Sequence, residues 1–146
     1  MKVYLDNCCY NRPYDDQTQR RISLETQAKL HVQEMIRKDE LELVVSFINT
    51  YELSQSKLIS RRETIMEYVR DNASEFINSD DGGQIKRRAE EIMKTGIKMK
   101  DAYHIACAER AGCDYLLTTD DRFLKYKTED IHIINPIDFV LLLEGN

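Results

Sequence analysis

The chain has 146 residues, and 21 Lys and Arg against 26 Asp and Glu give it a formal net charge of -5 at pH 7. With 42% hydrophobic residues, 5 Gly, 2 Pro and no repeated block, the composition excludes collagenous, solenoid and low-complexity chains and argues against disorder. No apolar run approaches the roughly twenty residues of a membrane span, and the amino terminus lacks the pattern of a signal peptide. We therefore expect one domain over residues 1–146, located in the cytoplasm and not in a membrane.

Four short apolar runs are predicted to be β-strands, at residues 3–5, 41–46, 115–117 and 131–134. The segments between them have helical periodicity, and this alternation predicts an α/β sandwich with a mainly parallel sheet. Gly112 is expected to end a helix that begins near Asp101. Asn135 and Pro136 are expected to begin the last helix.

The segment between the second and third predicted strands is unusually long and contains no convincing strand pattern. One helical stripe of apolar residues covers residues 65–77 and includes Ala73 and Phe76, and a second covers residues 85–93. The turn-forming residues 80–83 separate the two stripes. We predict a helical excursion here, which forms a small arm or clip.

The four cysteines show no metal-binding or disulfide pattern. Cys8, Cys9, Cys107 and Cys113 contain no C-x-x-C pair, and no histidines lie near them at ligand spacing. We expect reduced thiols that act as small buried hydrophobic side chains, and we assign no chemistry to Cys8 and Cys9.

Two acids follow predicted strands. Asp6 comes directly after the first strand, and Asp120 follows the strand at residues 115–117. In open parallel sheets, ligands bind at the carboxyl ends of the strands. If the two strands are neighbours, both carboxylates lie at one edge of the sheet.

Two further acids lie on predicted helices, where they lean toward the apolar face. Glu52 is four residues after Ile48, and Asp101 is four residues before Ile105. Each acid alone has a structural explanation, such as an ion pair or a helix start. Several carboxylates at one edge repel one another unless cations neutralise them, and hard divalent ions with oxygen ligands do so. The combination predicts a Mg²⁺ or Mn²⁺ site.

Four stretches of the chain resemble the PIN domain, the nuclease family that includes the toxin halves of VapBC toxin–antitoxin pairs. They are residues 3–7, 46–53, 100–106 and 116–123, and their order and spacing match the family nearly end to end. The resemblance implies a three-layer α/β sandwich with a mainly parallel central sheet flanked by helices. The polar stretch at residues 11–21 and the long helical excursion depart from commoner members.

The resemblance also implies site residues and an activity. The family's four acids fall on Asp6, Glu52, Asp101 and Asp120, with Thr118 as the accompanying hydroxyl. Asp121 is the competing candidate for the fourth acid. The implied activity is that of a Mg²⁺- or Mn²⁺-dependent endoribonuclease, in which Asp6, Asp101 and Asp120 are direct ligands. Glu52 is either a ligand or an acceptor that orients water on the metal.

The expected partners are RNA, a small antitoxin protein and a second copy of the chain. The net negative charge is unfavourable for RNA binding, although two divalent ions would largely offset it. His104, one turn after Asp101, is expected to be a packed or capping residue rather than a substrate contact. Basic residues that are either solvated surface or phosphate contacts are Arg61, Arg62, Lys86, Arg87, Arg88, Lys98, Lys100, Lys125 and Lys127.

The main alternative is a PIN-fold module that binds RNA or a protein without cleaving it. A receiver-type phosphoacceptor requires paired acids after the first strand, and a dehalogenase-type phosphatase requires D-x-D there. The chain has Asp6-Asn7-Cys8 at that position, and it has no G-x-G-x-x-G for a dinucleotide site.

Overall fold

A computed structural model describes residues 1–145, apart from the side chain of Asp81. The strands are β1 (Lys2–Leu5), β2 (Glu42–Ser46), β3 (Ala73–Ile77), β4 (Tyr115–Leu117) and β5 (His132–Ile134). The helices are α1 (Asn7–Asn11), α2 (Arg20–Arg37), α3 (Phe47–Ser54), α4 (Ile59–Asn72), α5 (Gly82–Met93), α6 (Met99–Arg110), α7 (Asp121–Leu124) and α8 (Pro136–Glu144). Short 3₁₀ turns cover Arg12–Tyr14 and Ser79–Asp81.

The five strands form one parallel sheet in the order β3-β2-β1-β4-β5. Strand β1 lies at the centre, where Leu5 pairs with Leu117 of β4 and Tyr4 pairs with Val44 of β2. Because the strands are parallel, their carboxyl ends share one edge. The residues that follow β1, β2 and β4 therefore meet at that edge.

Hydrophobic cores on both faces of the sheet make the fold a three-layer sandwich, as predicted. On one face, Tyr4 and Leu116 belong to a buried cluster with Ile85 of α5 and Ile105 of α6. On the other face, residues of β1, β2 and β4 pack with α2, α4 and α8. The alternation along each strand gives both faces an apolar surface, as expected for a sheet covered on both sides. Among the described residues, no helix has the length and apolarity needed to cross a membrane.

The prediction that no strand interrupts the helical excursion is wrong. Helix α4 ends at Asn72, and residues 73–77, which we assigned to the helical stripe, form β3 at the edge of the sheet. No loop separates the two elements. The spacing of the apolar residues Ala73 and Phe76 also continues the helical pattern, so the sequence gives no sign of the boundary. Pairing with β2 decides the outcome, because Leu43 lies opposite Ala73 and Val45 opposite Phe76.

The helix ends that were predicted from turn residues are confirmed. Asn135 caps α8 by accepting a hydrogen bond from the Ile137 amide, and Pro136 is its first residue. Helix α6 ends at Arg110, and Gly112 follows with a φ of +70°, which lies in the left-handed region that favours glycine. These ends fix where α6 and α8 pack on the sheet.

Candidate functional site

Asp6 and Thr118 lie side by side at the carboxyl ends of the two central strands. Each follows the last residue of its strand, and the register pairs Leu5 with Leu117. The Thr118 hydroxyl donates a hydrogen bond of 2.8 Å to Asp6 Oδ2, and the Asp6 amide donates to the Leu117 carbonyl at 2.9 Å. Both side chains are buried. The carboxylate of Asp6 is therefore held in one orientation.

Asp101 lies in the first turn of α6, as predicted, and it is buried. Its carboxylate makes no hydrogen bond or ion pair with any residue in the described part of the chain. Burial, and after it the negative charges of Asp6 and Asp120, raises the pKa of Asp101 to about 6. The carboxylates of Asp6 and Asp120 thus lie close enough to repel that of Asp101.

The structure separates the two adjacent acids that follow β4. Asp120 caps α7 by accepting a hydrogen bond from the Arg122 amide at 2.9 Å, and its own amide donates to the Thr118 hydroxyl at 3.1 Å. Asp121 is held instead by the Arg21 guanidinium through two hydrogen bonds of 2.8 and 2.9 Å. Asp120 contributes to the charge around Asp101, whereas Asp121 is neutralised by Arg21, which lowers its pKa.

Glu52 reaches the same edge from α3, and a histidine holds it there. His104 Nε2 lies 2.6 Å from Glu52 Oε1 and 3.6 Å from Asp6 Oδ1. Lys100 Nζ lies 3.7 Å from Glu52 Oε2. His104 is fully buried, as the packed role predicted, but it also bridges two of the four acids.

A buried chain of polar contacts fixes the other side of His104. Its Nδ1 lies 2.5 Å from the Tyr4 hydroxyl, which lies 2.6 Å from the Ser46 hydroxyl. Ser46 in turn caps α3 and exchanges hydrogen bonds with Asn49. This chain links the start of α3 to the imidazole that contacts Glu52. Sequence reasoning missed Tyr4 and Ser46, and the only available signal for His104 was its position one turn after Asp101.

Cys8 differs from the other cysteines. Cys9, Cys107 and Cys113 are buried and unpaired, as predicted. Cys8 is only partly buried, and its thiol lies 3.2 Å from Asp6 Oδ2, to which it donates, while the Thr119 amide donates to its sulfur. The prediction of a buried hydrophobic role is therefore wrong for Cys8, because α1 turns its side chain back toward the end of β1.

The donor chemistry of this edge fits a hard divalent cation. It presents carboxylate oxygens of Asp6, Asp101 and Asp120, which are the ligands that Mg²⁺ and Mn²⁺ prefer. In residues 1–145, however, no group of three or more His, Cys, Asp or Glu side chains is arranged as a finished ligand set. Asp6 and Asp120 accept hydrogen bonds from the protein, and Asp101 does not. The acids are gathered and mutually repelling, but their oxygens do not yet converge on one point.

Three solved structures are among those that share this fold. One is VapBC2 from Rickettsia felis bound to a DNA fragment from their promoter, which is 15% identical with a TM-score of 0.60 over 92% of this chain and 98% of that chain. FitAB bound to the IR36 DNA fragment is 19% identical, with a TM-score of 0.60 over 92% and 95%. FitAcB from Neisseria gonorrhoeae is 15% identical, with a TM-score of 0.56 over 92% and 97%. At these identities the likeness shows the fold.

Sequence comparison assigns the family. No protein with a curated description matches the chain significantly. The family profile described as the PIN domain matches residues 3–129, which include all four acids and Thr118. The chain therefore belongs to the PIN domain family.

Proposed function

We propose that the protein is a metal-dependent endoribonuclease that acts as the toxin of a toxin–antitoxin pair. One observation carries the proposal: four acids from separate elements gather at the carboxyl edge of the sheet, and the most central, Asp101, is buried with no partner in the described chain. The raised pKa of Asp101, which burial and the charges of Asp6 and Asp120 cause, is typical of a functional site. Membership in a family of nucleases supports the same reading.

Asp6, Asp101 and Asp120 would hold Mg²⁺ or Mn²⁺, with Glu52 as a further ligand or as an acceptor for bound water. Such an ion, when bound, activates water for attack on phosphorus and stabilises charge on the leaving oxygen. The carboxylates are gathered but repel one another, so a divalent cation would relieve the repulsion that raises the pKa of Asp101. The oxygen donors and their charge therefore suit the ion that the proposal requires.

The protein's own residues place these carboxylates. The Thr118 hydroxyl fixes Asp6, and the Asp6 backbone is fixed by the neighbouring strand. His104 holds Glu52 toward Asp6, and the Tyr4 hydroxyl holds the imidazole from the opposite side. These contacts hold Asp6 and Glu52 before any ligand arrives, whereas the Asp101 carboxylate has no such contact.

We also propose the partners that the family resemblance implies. Solved structures of the same fold are complexes named VapBC2 and FitAB, which supports a small antitoxin as a partner of this chain. A homodimer is proposed as well. Leu58 and Ile59 at the start of α4 are each more than half exposed and are candidates for protein contacts. We place the protein in the cytoplasm, where its four unpaired cysteines would stay reduced.

Cleavage of RNA by the purified protein tests the proposal. A structured RNA and a single-stranded RNA are incubated with Mg²⁺, with Mn²⁺ or with EDTA, and the product ends are mapped. Wild type should cut only with metal and leave 5′-phosphate ends. Asp6→Asn should lower the rate at least about a hundredfold, since it removes a metal ligand and keeps the side-chain shape.

The matched control is Asp16→Asn, which removes an exposed carboxylate that contacts its chain neighbours Thr18 and Gln19. It should cut like wild type. Cleavage that persists in EDTA, or in Asp6→Asn, would contradict the metal site. A folded wild type that binds RNA but never cuts it would favour the non-catalytic module.

A further inference from the structure

A cavity of about 500 Å³ opens directly beside the acids, between α3, the start of α4 and the segment that follows α1. Glu52 and Lys100 form the wall that it shares with the acidic edge, and Tyr51 and Arg61 line it farther away. This volume lies within the range of cavities that bind small ligands. A molecule bound in this cavity would lie next to Glu52 and the acidic edge.

Arg61 is a positive charge in this cavity with no anion to balance it. The half-buried side chain makes no hydrogen bond or ion pair with any residue that the structure describes, and its buried Nε has no acceptor. Its guanidinium carbon lies 5.3 Å from the centre of the Tyr14 ring, which holds the side chain in place. Asp15 lines the same cavity, but its carboxylate is already bound to Arg12 at 2.9 Å. An external anion is the missing partner.

Two further side chains that line the cavity are Lys100, which contacts Glu52, and Tyr51, which faces solvent. Lys100 is 64% exposed, and its ammonium lies 3.7 Å from Glu52, so it stands between the cavity and the acidic edge. Tyr51 is 65% exposed although it is a large aromatic side chain in α3. An exposed aromatic ring near an unpaired arginine is the combination with which proteins hold unpaired nucleotides.

From this juxtaposition we infer that the cavity binds one nucleotide of a single-stranded RNA next to the phosphodiester that is cut. Its phosphate pairs with Arg61 and Lys100, and its base stacks on Tyr51. A duplex is excluded from this site, because a base must leave its stack to cover a tyrosine ring. An acidic peptide would satisfy Arg61 but would leave Tyr51 without a flat partner. The inference rests on the proposed RNA substrate. It adds that this RNA is single-stranded at the site and that Arg61, Lys100 and Tyr51 bind it.

Binding is measured in the Asp6→Asn background, so that the RNA stays intact. An end-labelled single-stranded RNA is titrated in EDTA and in Mg²⁺ and followed by fluorescence anisotropy. Arg61→Ala should weaken binding about tenfold and lower the slope of log Kd against log salt concentration by about 0.7, as for one lost phosphate contact. Tyr51→Ala should weaken binding at least about fivefold with the salt slope unchanged.

Arg62→Ala is the matched control, since Arg62 is the next residue of α4 and does not line the cavity. It should bind like the Asp6→Asn parent. Arg61→Lys, which keeps the charge, should recover part of the affinity, and thermal melts verify that each variant is folded. Equal affinities of Arg61→Ala and Arg62→Ala would overturn the inference. So would a polyglutamate peptide that competes as well as the RNA.

Kinetics separate this inference from the nuclease itself. In the otherwise wild-type protein, Arg61→Ala should raise KM about tenfold and leave kcat within about threefold, because the nucleotide is bound equally before and during the reaction. Metal-dependent cleavage with unchanged KM in Arg61→Ala would overturn the cavity and keep the nuclease. Weaker RNA binding in Arg61→Ala without any cleavage by wild type would support the cavity and contradict the nuclease.

Discussion

Two buried carboxylates of this chain, Glu25 and Asp101, have contrasting surroundings. Glu25 of α2 is fully buried, and its two oxygens receive hydrogen bonds of 2.6–3.1 Å from Arg12, Arg21 and Asn135. Asp101 of α6 is almost as buried, and no residue in the described part of the chain pairs with it. The negative charges of Asp6 and Asp120 raise the pKa of Asp101 more than the nearby His104 and Lys100 lower it.

The difference separates a structural acid from a site acid. Two guanidinium groups and an amide satisfy Glu25, so it ties α2 to the 3₁₀ turn and to the start of α8. Burial and neighbouring negative charge raise the pKa of Asp101, and such a perturbation at a sheet edge indicates a ligand of opposite charge. Burial of an acid alone is therefore a weak functional signal. Burial without a partner is a strong one.

The largest expected effect comes from breaking the paired acid. Glu25→Gln should lower the free energy of unfolding by about 2–4 kcal/mol, because two cations lose their shared carboxylate in a buried site. The value stays moderate because Arg12 keeps Asp15 and Arg21 keeps Asp121. Urea denaturation measures the change. Asp15→Asn, which removes only the half-exposed partner, is the control and should cost under about 1 kcal/mol. Equal losses would refute the structural role of Glu25.

The adjacent acids after β4 provide the next test. Asp120→Asn should lower the rate of RNA cleavage at least about thirtyfold, because Asp120 faces the acid cluster. Asp121→Asn should change it less than about threefold, because Asp121 is bound by Arg21 outside the cluster. Initial rates under saturating metal give both numbers. The reverse ranking would assign the fourth acid to Asp121.

Asp101→Asn should change the free energy of unfolding in the opposite direction from Glu25→Gln. Without metal at pH 7, it should raise the free energy of unfolding by about 1–2 kcal/mol, since it removes a repelled charge. The pKa of Asp101 is about 6, above its value in the unfolded chain, so the wild type loses stability as pH rises from about 4 to 6. The gain of the variant should therefore appear over that interval and level off above it.

Metal should reverse this relation. Millimolar Mn²⁺ should raise the Tm of the wild type by binding only the native state, and should raise that of Asp101→Asn much less. Thermal melts with and without Mn²⁺ compare the two. A variant that is less stable than wild type without metal, or an equal shift in both, would contradict the unpaired role of Asp101.

The smallest effect concerns Lys29, a buried cation one turn after Glu25. It has no carboxylate partner among the described residues, contacts Gln33 at 2.6 Å and lies near the rings of Tyr10 and Tyr68. Burial lowers its pKa to about 8. Because the folded chain releases this proton more readily than the unfolded chain, stability should rise between pH 8 and 10. We expect wild type to gain about 1–2 kcal/mol over Lys29→Met in that interval. The free energies of unfolding of both proteins are measured by urea denaturation at each pH. Profiles that run parallel between pH 8 and 10 would contradict the prediction.

Much of the fold followed from local pattern. The four predicted strands match β1, β2, β4 and β5 to within a residue at either end, because short apolar runs bounded by turn residues have few alternatives. Strand β3 was missed because Ala73 and Phe76 suit both a helix and a strand. Only its neighbour β2, thirty residues earlier, provides the hydrogen bonds that make it a strand.

Part of the candidate site could also be predicted from local sequence pattern. Asp6 was predicted from a strand end, and Thr118 was implied by the family resemblance. The parallel pairing of β1 and β4 brings the Thr118 hydroxyl to 2.8 Å from Asp6 Oδ2. The bridge by His104 and the thiol contact of Cys8 depend on side-chain directions across elements that are distant in sequence. The choice between Asp120 and Asp121 depends on Arg21, one hundred residues away.

The sequence by itself determined the strand ends, the helix caps and the acids that follow them, because these depend on neighbours within a few residues. Tertiary structure alone decided which buried acids are paired. Glu25 meets Arg12 and Arg21 because α2 packs along the 3₁₀ turn, whereas α6 brings Asp101 toward Asp6 and Asp120 without an ion pair to any described residue. Electrostatic energy depends on distance in space, and distance along the chain does not report it.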